Sequence, residues 1–133
     1  ALYLSSSFEE IYGIESAPCS VAMATKNAEK NGVKSVKFVR DMAQDRFRQF
    51  MATGIEPGLV ILDPPRSGLG EIVVESLNSL RPSPVLVLVS CNPHTLADDI
   101  SGLTAGGYKL ERVIPVDMFP QTEHLEVVAR LTR

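Results

Sequence analysis

Apolar and polar positions along the chain change period repeatedly, and each change marks a predicted element. Residues 8–15 (FEEIYGIE) and 35–40 (SVKFVR) have strand character, the second by its alternation. Between them, residues 17–31 place Val21, Ala24 and Ala28 on one face of a helix that Asn31-Gly32 should stop. Residues 42–52 are helical in composition. Residues 58–62 (GLVIL) form a continuous apolar strand that runs into Asp63-Pro64-Pro65, where two prolines end it. A helix over 71–80 follows. Residues 84–90 (PVLVLVS) make the most hydrophobic strand, of the kind buried on both faces of a parallel sheet. A helix over 95–103 closes at Gly106-Gly107, and residues 108–117 and 125–133 read as two last strands.

Strands alternating with helices predict βαβ units and a mostly parallel sheet, hence an α/β fold in one domain over 1–133. The last two strands have no helix-length connection, so they should pair antiparallel at or near one edge. Composition supports a folded domain: 133 residues with 44% hydrophobic and 22% charged residues are neither disordered nor membrane-like. No apolar run reaches membrane-span length and no signal-peptide pattern opens the chain. Two distant cysteines provide neither a disulfide framework nor a zinc site, so a reducing cytoplasm is expected. The net charge of −3 disfavours a stand-alone nucleic-acid module, though not a catalytic domain whose nucleic-acid contacts are made mostly by other domains. The first residue is Ala, which suggests a fragment or processed chain.

Ligands of open α/β sheets bind at the carboxyl ends of strands, so the residues there are the candidates for chemistry. Glu15, Asp41, Asp63 and Cys91 end or follow successive strands, and the antiparallel last strand starts at the same rim with Glu126. Glu15 suits the ribose-binding acid of nucleotide-type cofactors, or a solvated strand end. Asp41 is equally well placed as a helix N-cap. Asp63 and Arg66 lie on a turn stiffened by two prolines and could hold a ligand's polar groups or simply each other. Cys91, after a buried strand and before a helix start, sits where a helix dipole favours an anion. Cys19, in an amphipathic helix, fits a buried inert thiol. Glu126 could be a general base if the sheet brings it near Cys91. His124 is a second possible partner, although a loop histidine is more often merely solvated, and Glu123 should be exposed. By residue type alone, Cys91 with Glu126 or His124 also suits a thiol hydrolase.

The segments LDPPRSGL, VSCNP and VDMFPQTEHLE, in this order and spacing, closely resemble the S-adenosylmethionine-dependent RNA uracil-C5 methyltransferases, which make 5-methyluridine in transfer or ribosomal RNA. The resemblance covers essentially the whole chain, as the C-terminal catalytic domain of such enzymes. It implies a Rossmann-like class I methyltransferase sheet, S-adenosyl-L-methionine as cofactor, an RNA uridine as substrate and no metal. Position by position, it implies that Cys91 is the nucleophile and Glu126 the general base. Asp63 would lie beside the cofactor and target base, with Arg66 on the substrate side of the same turn. Glu15 would bind the cofactor ribose and Asp41 lie near the adenine. Tyr3 would open the cofactor loop if Leu2-Tyr3 ends the first strand.

The chain departs from the family pattern at that loop. Tyr3 is followed by Leu4-Ser5-Ser6-Ser7 and then at once by FEEIYGIE, with no Gly-x-Gly. Roughly ten or more residues of the family's first βα unit have no counterpart where backbone should approach the cofactor. This departure supports one alternative, a degenerate methyltransferase fold kept as an RNA-binding module. Amino-group methylation is a second alternative, but Arg66 stands where such enzymes often carry an aromatic residue. A cysteine hydrolase is the third, lacking an identifiable orienting residue and oxyanion hole.

Overall fold

The computed structural model describes residues 1–133, which divide into two compact units, 1–46 and 47–133. In the first unit, β1 (Ile11–Glu15) and β2 (Val36–Arg40) pair in parallel, joined by α1 (Pro18–Lys30). Proline starts α1, where its missing N–H costs nothing. The predicted stop at Asn31-Gly32 is built as a Schellman motif: Val33 N–H donates to Ala28 O and Gly32 N–H to Glu29 O, with Gly32 at φ +64°. Val21 and Ala24 are half-buried and Ala28 is buried, as the helical spacing predicts. Gly13 faces Phe38 across the ladder, and a Cβ there would lie 2.5 Å from the ring, so the strand needs a glycine at this position.

Two expectations fail in this unit. Residues 2–4 form a 3-10 turn rather than a strand end, because Leu4 N–H and Ser5 N–H close back onto Ala1 O and Leu2 O. Tyr3, 95% exposed, therefore lacks the strand-end position on which its cofactor-loop assignment rested. Cys19 is exposed, because it lies in the first turn of α1 on the side opposite Val21 and Ala28.

The boundary between the units falls within α2 (Ala43–Thr53), whose Phe47 and Phe50 are buried. The second unit continues with β3 (Leu59–Leu62), α3 (Glu71–Ser79), β4 (Val85–Ser90), α4 (Pro93–Ala105), β5 (Lys109–Val116) and β6 (Glu126–Thr132). Its sheet has the order β3-β4-β6-β5: β3 and β4 are parallel, and β6 runs antiparallel to both neighbours. The last two strands thus pair antiparallel at one edge, with the final strand inserted and β5 outermost. The sheet is not continuous. β1-β2 and β3-β4-β6-β5 are separate hydrogen-bonded sets, and no strand precedes β1 to extend either.

The core of this unit lies on one sheet face. Leu86 and Leu88 of β4 and Ala129 and Leu131 of β6 are almost wholly buried there, with Leu77 of α3 and Leu103 of α4. The alternate residues lie on the opposite face, where Val85, Val87, Val89 and Val128 are half-buried and Ile61 is 51% exposed. A second Schellman motif ends α4 at Gly106-Gly107, as predicted. No helix is long and apolar enough to cross a membrane.

Candidate active site

The β4–β6 register governs the site. Successive pairs run from Leu86 with Leu131 to Ser90 with Val127. The register ends there, at the last residue of β4 and the second of β6, so Cys91 and Glu126 are the residues next to that final pair on each chain segment. Ser90 and Val127 turn into the core. Cys91 and Glu126 are both half-buried, and neither has a hydrogen-bond partner within the chain. Two residues that are 35 positions apart in sequence are thereby both brought to the carboxyl end of β4, each next to the Ser90–Val127 pair.

The DPPR turn lies beside them, held by α4. Gly68, at φ +83°, donates its N–H to Pro65 O and closes the turn. Arg66 O accepts from Asn92 Nδ2 at 3.0 Å and from Thr95 Oγ1 at 3.2 Å. Leu69 N–H donates to Asp99 Oδ2 at 3.0 Å. Asn92, Thr95 and Asp99 recur at helical spacing, so one stripe of α4 clamps the turn at both ends. Asn92 also caps α4, its Oδ1 accepting from His94 N–H at 3.1 Å. These three residues were not singled out in the sequence, where the signal was a polar stripe on an otherwise amphipathic helix.

Asp63 and Arg66 do not pair with each other. The Asp63 carboxylate is exposed and has no partner in the chain. The Arg66 guanidinium instead reaches His124, Nη2 to Nδ1 at 2.9 Å. His124 thus makes its side-chain contact with Arg66 rather than Cys91, which does not support a cysteine–histidine hydrolase. Glu123 is exposed, as expected.

Asp99 is a buried carboxylate. Burial raises its pKa above the ordinary value, against the opposing effect of the Leu69 N–H bond. A raised folded-state pKa means stability that is present in acid and lost as pH rises through that value. Asp99→Asn keeps an acceptor for Leu69 and removes the buried charge. It should be at least as stable as the parent at pH 7, with the difference closing as Asp99 takes up its proton in acid. Urea denaturation at both pH values checks this, and a less stable variant at pH 7 counts against the account.

In the first unit, Glu15 and Asp41 follow one another at the carboxyl ends of paired strands, Asp41 N–H donating to Glu15 O at 3.1 Å. Ala17 N–H donates to Glu15 Oε1 at 2.8 Å and holds the carboxyl below its ordinary pKa. Glu15 Oε2 has no partner in the chain, so the anion keeps acceptor capacity for a ligand's hydroxyls. That arrangement fits a ribose diol. Asp41 has less to spare: Oδ1 accepts from Met42 N–H and Oδ2 pairs with Arg46, each at 2.9 Å.

The sequence model of the tRNA (uracil-5-)-methyltransferase family matches residues 1–133. The chain belongs to that family. Among curated relatives of this family member, a protein of Oceanobacillus iheyensis described as an uncharacterized RNA methyltransferase is 39% identical over 132 residues, 99% of this chain and 28% of the relative. One so described from Caldanaerobacter subterraneus subsp. tengcongensis is 44% identical over 123 residues, 92% of this chain and 27% of the relative. The chain therefore spans under a third of the length of the relatives it matches. Among solved structures, an rRNA methylase from Streptococcus thermophilus has a TM-score of 0.72 at 12% identity, covering 98% of this chain and 77% of that one. The fold of this family member is that of the class I methyltransferases.

Proposed function

We propose that this chain carries the catalytic centre of an S-adenosylmethionine-dependent enzyme that methylates carbon 5 of uridine in transfer or ribosomal RNA. The observation that supports the reading is the β4–β6 register, whose last pair, Ser90 with Val127, has the Cys91 thiol and the Glu126 carboxylate as its immediate neighbours in sequence, with Asn92 bonded to the DPPR turn. Carbon 5 of uracil is a poor nucleophile. The Cys91 thiolate adds to carbon 6, the electron pair moves to oxygen 4, and the resulting enolate makes carbon 5 nucleophilic. When bound, the cofactor supplies an electrophilic methyl group on a sulfonium. Glu126 then takes the carbon-5 proton, the C5–C6 double bond re-forms, and the Cys91 sulfur leaves as thiolate. Asp63 and Arg66 orient the base from the clamped turn, while Glu15 takes ribose hydroxyls and Asp41 lies on the adenine side. The target uridine must leave its stack to reach Cys91, at a cost of a few kcal/mol. Two free cysteines suit a reducing cytoplasm.

The test is RNA labelled with tritium at uridine carbon 5, incubated with the full-length protein and S-adenosylmethionine. Tritium should pass to water in step with methyl incorporation. Methyl incorporation without tritium release would place the reaction on another atom, and neither event would favour a non-catalytic module.

A further inference from the structure

The loop that delivers Glu126 is almost entirely surface. Residues 117–124 are all exposed, and their bonds are mostly internal. Thr122 Oγ1 donates to Phe119 O at 2.7 Å and accepts from His124 N–H at 3.2 Å, while the Phe119 ring meets the His124 ring edge-on with centroids 6.2 Å apart. These contacts make a self-tied hook. Its one hydrogen bond to a distant part of the chain is His124 Nδ1 to Arg66 Nη2. A guanidinium has only donors, so Nδ1 is the acceptor in this contact. Arg66 is in turn fixed through its carbonyl to Asn92, the residue after Cys91. A continuous chain of contacts therefore runs from the neighbour of the thiol, through Arg66 and His124, to within two residues of the carboxylate.

Resting on the methyltransferase reading above, we propose that His124 is a positioning residue: by accepting from Arg66 it holds the hook so that Glu126 meets the target base while Cys91 is engaged. The role is specific to the second half of the reaction. Cys91 is placed by β4 and α4, whereas Glu126 opens β6, paired with Val116 of β5 and directly preceded by the hook, so residues 117–125 border its side chain.

The experiment uses the full-length protein as parent, His124→Leu and His124→Asn. Leucine removes the acceptor, whereas asparagine returns an oxygen near the position of Nδ1. With ordinary uridine RNA and cofactor, His124→Leu should lower kcat by about 10- to 100-fold, the scale of a misplaced catalytic group. It should also accumulate covalent protein–RNA adduct, because addition proceeds and proton removal lags. His124→Asn should recover most of the rate and clear the adduct. Amide exchange over residues 117–125 should rise in the leucine variant alone, with melting temperatures unchanged because His124 is exposed.

Parent-like turnover in His124→Leu, equal loss of adduct and turnover, or no recovery in His124→Asn would each overturn the proposal. If the parent itself forms no adduct with 5-fluorouridine RNA, the methyltransferase reading fails and this inference with it. That result is distinct from the other three.

Discussion

Cys91→Ala should abolish methylation, lowering turnover by about 10⁴-fold or more, as loss of a covalent nucleophile does. The thiol makes no hydrogen bond and lies at the rim rather than in the core, so the variant should fold and melt like the parent. The adjoining Ser90–Val127 pair is set by backbone hydrogen bonds, which alanine at position 91 leaves alone. The decisive substrate is RNA carrying 5-fluorouridine. Fluorine cannot be removed as a proton, so the parent should stall as a denaturation-resistant protein–RNA adduct that requires cofactor. The adduct must vanish in Cys91→Ala, and one that survives would assign the nucleophile elsewhere. An acyl-type thiol trap that labelled Cys91 without regard to cofactor would point to hydrolysis instead.

Glu126→Gln should fail at a different step. Glutamine keeps the shape of the side chain and the ladder pairing with Val116, but it has no basic oxygen to take a proton. Turnover should fall by about 10²–10⁴-fold, the usual worth of a positioned base. The signature is in the partition: adduct with ordinary uridine RNA should accumulate, because Cys91 still adds while elimination is blocked. Joined to Cys91→Ala, the second substitution should add almost nothing, since without the thiol there is no adduct to resolve. A Glu126→Gln variant with parental turnover would show that another group takes the proton.

Local chemistry made much of the fold legible. The proline breaks after Leu62, the alternation of 35–40 and the two glycine stops were read within a few residues of the observed ends, because each signal acts on its own neighbourhood. What escaped was non-local. The insertion of β6 between β4 and β5 depends on pairing across distant segments, and only that insertion turns Glu126 from a strand-end acid into the partner of Cys91. Tyr3 escapes local reading because two apolar residues have the pattern of a strand end, while i to i+3 bonding satisfies that backbone in a turn. His124 is exposed as expected of a loop histidine, but exposure in sequence terms gave no hint that Arg66 would bind it rather than Asp63. The α4 clamp was hidden for the same reason, since its three residues gain meaning only against a turn far upstream.

The placing of β6 at the middle of its sheet also ties competence to completion. Before that strand arrives, β4 and β5 have no hydrogen bonds to each other, and the thiol at the end of β4 stands without its carboxylate. A half-assembled protein able to attach itself to RNA but unable to let go would be a hazard to the cell. If Glu126 takes the proton as proposed, this topology leaves little room for one, because the segment that supplies the release step also joins the two halves of the sheet.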